Sequence, residues 1–257
     1  MENLTGNTLL KVSGMTIGHE GKILYSDISF DVREGDCIML CGANGSGKST
    51  LLRAIAGMRT ESGSGSNGIV MIPSRIPKVK GFTLRDFVRI SCYSQSDLGG
   101  RLAPEDEAAI GNALSRLCLD NLAGRDISTL SDGEFQKAAI ASALVRRAPV
   151  ILLDEPTAFL DAENRIAVMA TLKEICGMPG RPAVIFSTHD LAEGLAVCDK
   201  VLALGADGVF RCTCEDGTHE DMQKAVAGIF KNPDAFIRQT SGQGYSPGSG
   251  PGKENLK

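Results

Sequence analysis

The segment Gly42-Ala43-Asn44-Gly45-Ser46-Gly47-Lys48-Ser49-Thr50 constrains this chain more than any other. It fits the pattern G-x-x-x-x-G-K-[ST]. An apolar run, Cys37–Cys41, precedes it, and Leu51, Leu52 and Ile55 follow at helical spacing. A buried strand, a glycine-rich turn and a helix from about Lys48 are expected. Glycines let successive backbone N–H groups turn inward around phosphate oxygens, and the helix adds its positive end. Lys48 can reach the β- and γ-phosphates of a nucleotide, and the Ser49 hydroxyl can ligate Mg2+. Gly42, Asn44, Gly45, Ser46, Gly47, Lys48, Ser49 and Thr50 are therefore candidate ATP-binding residues. The bland alternative, a ligand-free strand-to-helix turn, does not explain the full motif in its full context.

Two further signals stand behind it. Val150–Leu153 is an apolar run ending in Asp154-Glu155. A buried strand would put both carboxylates at the sheet edge where open α/β folds bind ligands. There Asp154 can hold Mg2+ through water, and Glu155 can polarise an attacking water. Alone, such a pair reads as a helix cap; behind a phosphate loop it is a catalytic candidate. Leu130-Ser131-Asp132-Gly133-Glu134 opens an Ala-rich stretch to about Arg147, with Ser131 and Glu134 at capping-box spacing. A Ser-x-Gly at a helix start converges hydroxyl, backbone N–H groups and dipole on an anion.

Around these motifs the chain alternates. Leu9–Ile17 and Ile23–Val32 read as extended, with a turn-like stretch from Gly18 to Lys22. Glu61–Gly68 is loop by composition. Thr83 to Cys118 reads as helical: Pro104 and the acidic Glu105, Asp106 and Glu107 suit a first turn. Strands at Val150–Leu153, Ala183–Ser187 and Lys200–Leu204 alternate with helices at about Ala162–Ile175 and Leu191–Val197. That order argues for a parallel sheet with helices on its faces. Residues 241–257 are Gly/Ser/Pro-rich and are expected to be disordered.

Composition excludes several classes. With 27 Lys+Arg against 31 Asp+Glu the net charge is −4, which gives no basic footprint for nucleic acid. No apolar run is long enough to span a bilayer, and the N-terminus lacks a signal-peptide pattern. A cytosolic chain with reduced, mostly buried cysteines is expected. Cys212-x-Cys214 is too close for the usual zinc spacing.

Phosphate loop, helical stretch, Ser131 motif, Asp154-Glu155 strand and Ser187-Thr188-His189-Asp190 come in an order that resembles the ATP-binding subunit of ABC transporters, over about residues 8–215. The resemblance implies an α/β P-loop NTPase fold with a RecA-like parallel-sheet core, an antiparallel β subdomain and a helical signature subdomain. It implies one cassette over residues 1–240, with the helical part at about 83–147. Two such subunits would pair head to tail, the second being another copy or a homologous subunit. Two ATP molecules with Mg2+ would lie between them. Ser131, Gly133 and Glu134 would then meet the nucleotide held by the partner, and Leu160-Asp161 would cross the interface. His189 would contact the γ-phosphate and orient Glu155. His19 falls where an adenine-stacking Tyr is usual. The implied partners are a transmembrane permease and a periplasmic or surface substrate-binding protein, with this subunit peripheral on the cytoplasmic face of the cell membrane.

Two departures mark this chain. Pro73-Ser74 stands where the family carries Gln at the second position, and Asp132 replaces the first Gly of the signature. A carboxylate near a γ-phosphate is repulsive unless it points away. Phe82–Leu114 looks like importers of iron-siderophore, haem or cobalamin, although Ser91-Cys92-Tyr93 stands where those carry Gly-Arg before an aromatic. The rival readings are a soluble ABC ATPase of a cytosolic assembly system, an exporter subunit, and a non-hydrolysing nucleotide-binding regulator.

Overall fold

The computed structural model describes residues 7–58, 60, 68–92, 102–178, 180–213 and 218–229. The first two extended runs form strands β1 (Thr8–His19) and β2 (Lys22–Arg33), an antiparallel hairpin that turns at Glu20-Gly21. From Ile28 onward every second residue of β2 faces inward, so Ile28, Phe30 and Val32 are buried while Ser29 is exposed. The Tyr25 hydroxyl donates to Gly205 O at 2.9 Å and fixes the hairpin to the main sheet.

That sheet has six strands: β3 (Cys37–Gly42), β4 (Ile69–Ile72), β5 (Val150–Leu153), β6 (Ala183–Ser187), β7 (Lys200–Leu204) and β8 (Phe210–Cys212). Their spatial order is β4-β5-β6-β3-β7-β8, parallel except for β8. Strands β3, β5, β6 and β7 are buried along their whole length, as expected where both sheet faces are covered. On one face Ile38, Leu40, Leu152 and Ile185 pack with the hairpin and with helix α1 (Lys48–Ala56). On the other, Met39, Ile151, Leu153 and Phe186 meet the helical layer.

That layer contains α2 (Leu84–Ile90), α3 (Pro104–Arg116), α4 (Asp132–Leu144), α5 (Ala162–Cys176), α6 (Leu191–Val197) and α7 (His219–Ala227). Phe87 of α2 packs against Phe135 of α4 in a tilted ring pair with centroids 5.3 Å apart. Helix α4 stops at Leu144 rather than near Arg147: Pro149 disfavours helix at the residue before it, and Arg147 turns to a positive φ of 53°. Strand β8 and helix α7 were not expected. Only pairing with β7 makes the short Phe210–Cys212 run a strand, and α7 is fixed by burying Met222 and Val226. The loop at 61–67, Tyr93, Cys214 and the segment 241–257 lie outside the described residues. Among the described residues no helix is long and apolar enough to cross a membrane.

Candidate functional site

Strands β5, β6 and β3 are neighbours and run parallel, so their carboxyl ends open on one edge. The phosphate loop leaves β3 there and enters α1 at Gly47, the helix N-cap, with φ 103°. That backbone conformation needs glycine. Lys48 folds back over the loop and donates to Gly42 O at 3.0 Å and Ala43 O at 3.3 Å. It is only 5% exposed. Burial pulls its ammonium below the usual lysine range, while Glu155 and Asp154 push it back up. Ser46 Oγ is buried without a hydrogen-bond partner. An orphaned hydroxyl beside a buried ammonium at a helix start fits a phosphate oxygen.

At the end of β5, Asp154 is 4% exposed and accepts from Ser187 Oγ at 2.9 Å. The same Ser187 Oγ accepts from Glu155 N at 2.8 Å. Glu155 takes a left-handed φ of 50°, and its Oε1 lies 2.6 Å from His189 Nε2. The hydroxyl that closes β6 thus holds the Asp154 carboxylate and the Glu155 backbone just after β5. Sequence reading assigned Ser187 no role, although a polar residue ending an apolar strand was the available signal.

The Ser131 motif lies elsewhere, at the start of α4. Ser131 Oγ accepts from Glu134 N at 3.2 Å, and Ser131 N donates to Glu134 Oε2 at 2.7 Å. The Ser131 N–H holds the Glu134 carboxyl below its usual range. Glu134 is thereby turned back to shape the helix start. Asp132 points to Lys78, whose Nζ lies 2.7 Å from its Oδ1. Gly133 is covered by Asn164: a Cβ there would meet Asn164 Oδ1 at 2.5 Å. Asn164 N donates to Asp161 Oδ1 at 2.8 Å and its Nδ2 to Asp161 Oδ2 at 3.0 Å, so Asp161 caps α5. These bonds lower the Asp161 carboxyl.

The expected site residues therefore fall in three groups. The loop from Gly42 to Thr50, Asp154, Glu155 and His189 share one sheet edge. Ser131 and Glu134 cap the start of α4, and Asn164, which bonds Asp161, packs over Gly133 of the same turn. His19 stands near the hairpin tip, its side chain 73% exposed and 3.9 Å from Glu20. Arranged around a nucleotide, the first group can hold phosphates, carry a metal on oxygen ligands and orient a carboxylate toward water.

A family model described as ABC transporter matches residues 25–158. The chain belongs to the ABC transporter family. Its α/β architecture is that of the family's ATP-binding cassette, as the sequence led one to expect. The cobalamin import ATP-binding protein of Halobacterium salinarum is 32% identical, over 77% of this chain and 53% of its own length. The chain thus spans about half of that relative. The hemin import ATP-binding protein of Streptomyces coelicolor is also 32% identical, over 77% of this chain and 75% of its own length. Among solved structures, a metal-chelate type ABC transporter in an inward-facing conformation superposes with a TM-score of 0.74. It is 26% identical and covers 87% of this chain and 88% of its own chain.

Proposed function

We propose that this cassette hydrolyses ATP to drive a separate membrane permease. The observation that carries the reading is the Glu155–His189 contact of 2.6 Å at the sheet edge that also carries the phosphate loop. In this reading Gly42, Asn44, Gly45, Ser46, Gly47, Lys48, Ser49 and Thr50 hold the ATP phosphates, and Lys48 neutralises charge that develops during transfer. Ser49 and Asp154 offer the hard oxygen donors that suit Mg2+. Bound there, the ion would supply further charge stabilisation to the phosphoryl oxygens. Glu155 accepts the proton of the attacking water, help typically worth ~10²–10⁴-fold. His189 holds the Glu155 carboxylate in place, and Ser187 fixes the backbone that presents it. His19 offers an imidazole face to the adenine.

The Ser131 turn opens helix α4 outside the sheet that carries that edge, which fits a second copy, or a homologous subunit, bringing its own nucleotide to Ser131, Gly133, Glu134 and Asp161. Residues 1–240 would form one cassette with about 83–147 as its helical insertion. The exposed apolar side chains Val79 and Phe82, just before that insertion, and Ile90 within it offer a surface for the permease. The subunit would sit peripherally on the cytoplasmic face of the cell membrane, with a periplasmic or surface substrate-binding protein in the same system. No nucleic-acid partner is proposed.

For cargo we favour a metal chelate of the iron-siderophore, haem or cobalamin type. The names of the two relatives and the metal-chelate type structure support it. The competing class is the aliphatic sulfonates, named for a Streptomyces avermitilis relative 34% identical over 78% of this chain and 74% of its own length.

Phosphate release from Mg-ATP by the full chain tests the hydrolytic reading, with Lys48→Ala as the control. Nucleotide affinity and turnover should both fall sharply in the variant. Unchanged ATP affinity in a fluorescence titration would remove the phosphate-loop assignment.

A further inference from the structure

The segment after β4 carries a cation that reaches the start of α4. Lys78 Nζ donates to Leu130 O at 2.8 Å and to Asp132 Oδ1 at 2.7 Å. It also lies 5.4 Å from the Phe135 ring centroid. Three different partners, all between positions 130 and 135, thus hold one ammonium against the first turn of α4. Three residues earlier, Arg75 lies over the Phe159 ring at 5.0 Å. The 74–78 segment therefore touches both the Ser131 turn and the chain leading to Asp161. A cleft of about 500 Å3 separates these walls.

Asp132 is the residue that this arrangement explains. Without a counter-charge, the first turn of α4 would present two carboxylates, Asp132 and Glu134, beside the hydroxyl of Ser131. Such a turn repels an anion despite the helix dipole. Lys78 cancels one of those charges and draws the Asp132 carboxylate toward the 74–78 segment.

We propose that Lys78 is a positioning residue that neutralises Asp132 and so lets the Ser131 turn accept the γ-phosphate of a nucleotide held by a second subunit. The inference rests on the hydrolytic reading above. In the free chain the Asp132 side chain is 64% exposed and that of Lys78 26% exposed, and water screens the pair. Exposed pairs contribute little to stability. Their electrostatic weight grows when a second subunit excludes water and adds phosphate charge. Loss of Lys78 should therefore affect assembly on ATP far more than folding.

The test compares full-length wild type, Lys78→Met, Lys78→Arg and Lys78→Met with Asp132→Gly. Phosphate release is measured across ATP concentrations, with ATP binding to the dilute chain and thermal melting alongside. In Lys78→Met the half-saturating ATP for hydrolysis should rise about ten-fold. Its turnover at saturation, its ATP affinity as a dilute chain and its melting temperature should stay near wild type. Lys78→Arg should remain within about two-fold of wild type, because the charge is kept. Adding Asp132→Gly to Lys78→Met should return half-saturation to within about two-fold of wild type, because the charge to be cancelled is gone. Wild-type half-saturation in Lys78→Met, or a defect that Asp132→Gly does not relieve, overturns the proposal. A wild-type chain that binds ATP and releases no phosphate overturns the hydrolytic reading, and this role with it.

Discussion

His189 Nε2 lies 2.6 Å from Glu155 Oε1, although the two follow different strands, β6 and β5, with 33 residues between them. The contact aims a carboxylate that sits on a left-handed backbone position, φ 50°. Ser187 fixes the same turn from below through Glu155 N at 2.8 Å. With its backbone fixed by Ser187 and its carboxylate met by His189, Glu155 keeps one orientation, which is what a base acting on a bound water requires.

Glu155→Gln keeps the size of the side chain and removes its basicity. Turnover should fall by ~10²–10⁴-fold while Mg-ATP still binds. The loss of a negative charge beside the phosphates should also favour an ATP-bound pair of subunits. Size-exclusion chromatography with light scattering in Mg-ATP should show the variant as a dimer and the wild type mostly as a monomer. A variant that turns over at the wild-type rate removes Glu155 from the chemistry. One that is inactive yet monomeric in saturating ATP points instead to the Ser131 turn.

Gly133→Ala should disturb the link between α4 and Asp161. The added methyl would lie 2.5 Å from Asn164 Oδ1 and 2.7 Å from its Cγ. Asn164 must then swing away and release Asp161. Overpacking of this kind costs about 1–3 kcal/mol, readable as a lowered melting temperature. Shortening the partner with Asn164→Ala in the same chain should recover most of that loss. A Gly133→Ala protein with unchanged melting and unchanged turnover would show that the close approach has no consequence.

The cysteines give an independent check on the fold. Cys118 and Cys212 are exposed, whereas Cys37, Cys41, Cys92, Cys176 and Cys198 are buried. Burial pushes the Cys198 thiol up to about 12 and raises that of Cys41 as well. Since thiolate is the reactive form, a disulfide reagent at mildly alkaline pH should label Cys118 and Cys212 within minutes. The five buried thiols should react only after denaturant is added. Site-resolved mass spectrometry reads this, and rapid native labelling of Cys41 or Cys198 would contradict the packing described.

What the sequence determined by itself is whatever a few consecutive residues decide. The phosphate loop was legible because glycines, lysine and hydroxyls stand side by side, and only glycine suits the φ of 103° at Gly47. The Ser131–Glu134 capping box and the apolar runs of β3, β5 and β6 were legible for the same reason: their hydrogen bonds and periodicities are local. Strand β8 and helix α7 were missed because their short, mixed sequences take shape only against β7 and the core.

Tertiary structure alone decided who meets whom across the sheet edge. Strand β6 inserts between β3 and β5, and that order places Ser187 under Asp154 and His189 against Glu155. It also showed what faces Asp132: Lys78, 54 positions away. Nothing near either residue in the chain announces the other. A side chain's long-range partner depends on strand order and helix packing, and these are settled by the burial of the whole apolar surface rather than by any local pattern.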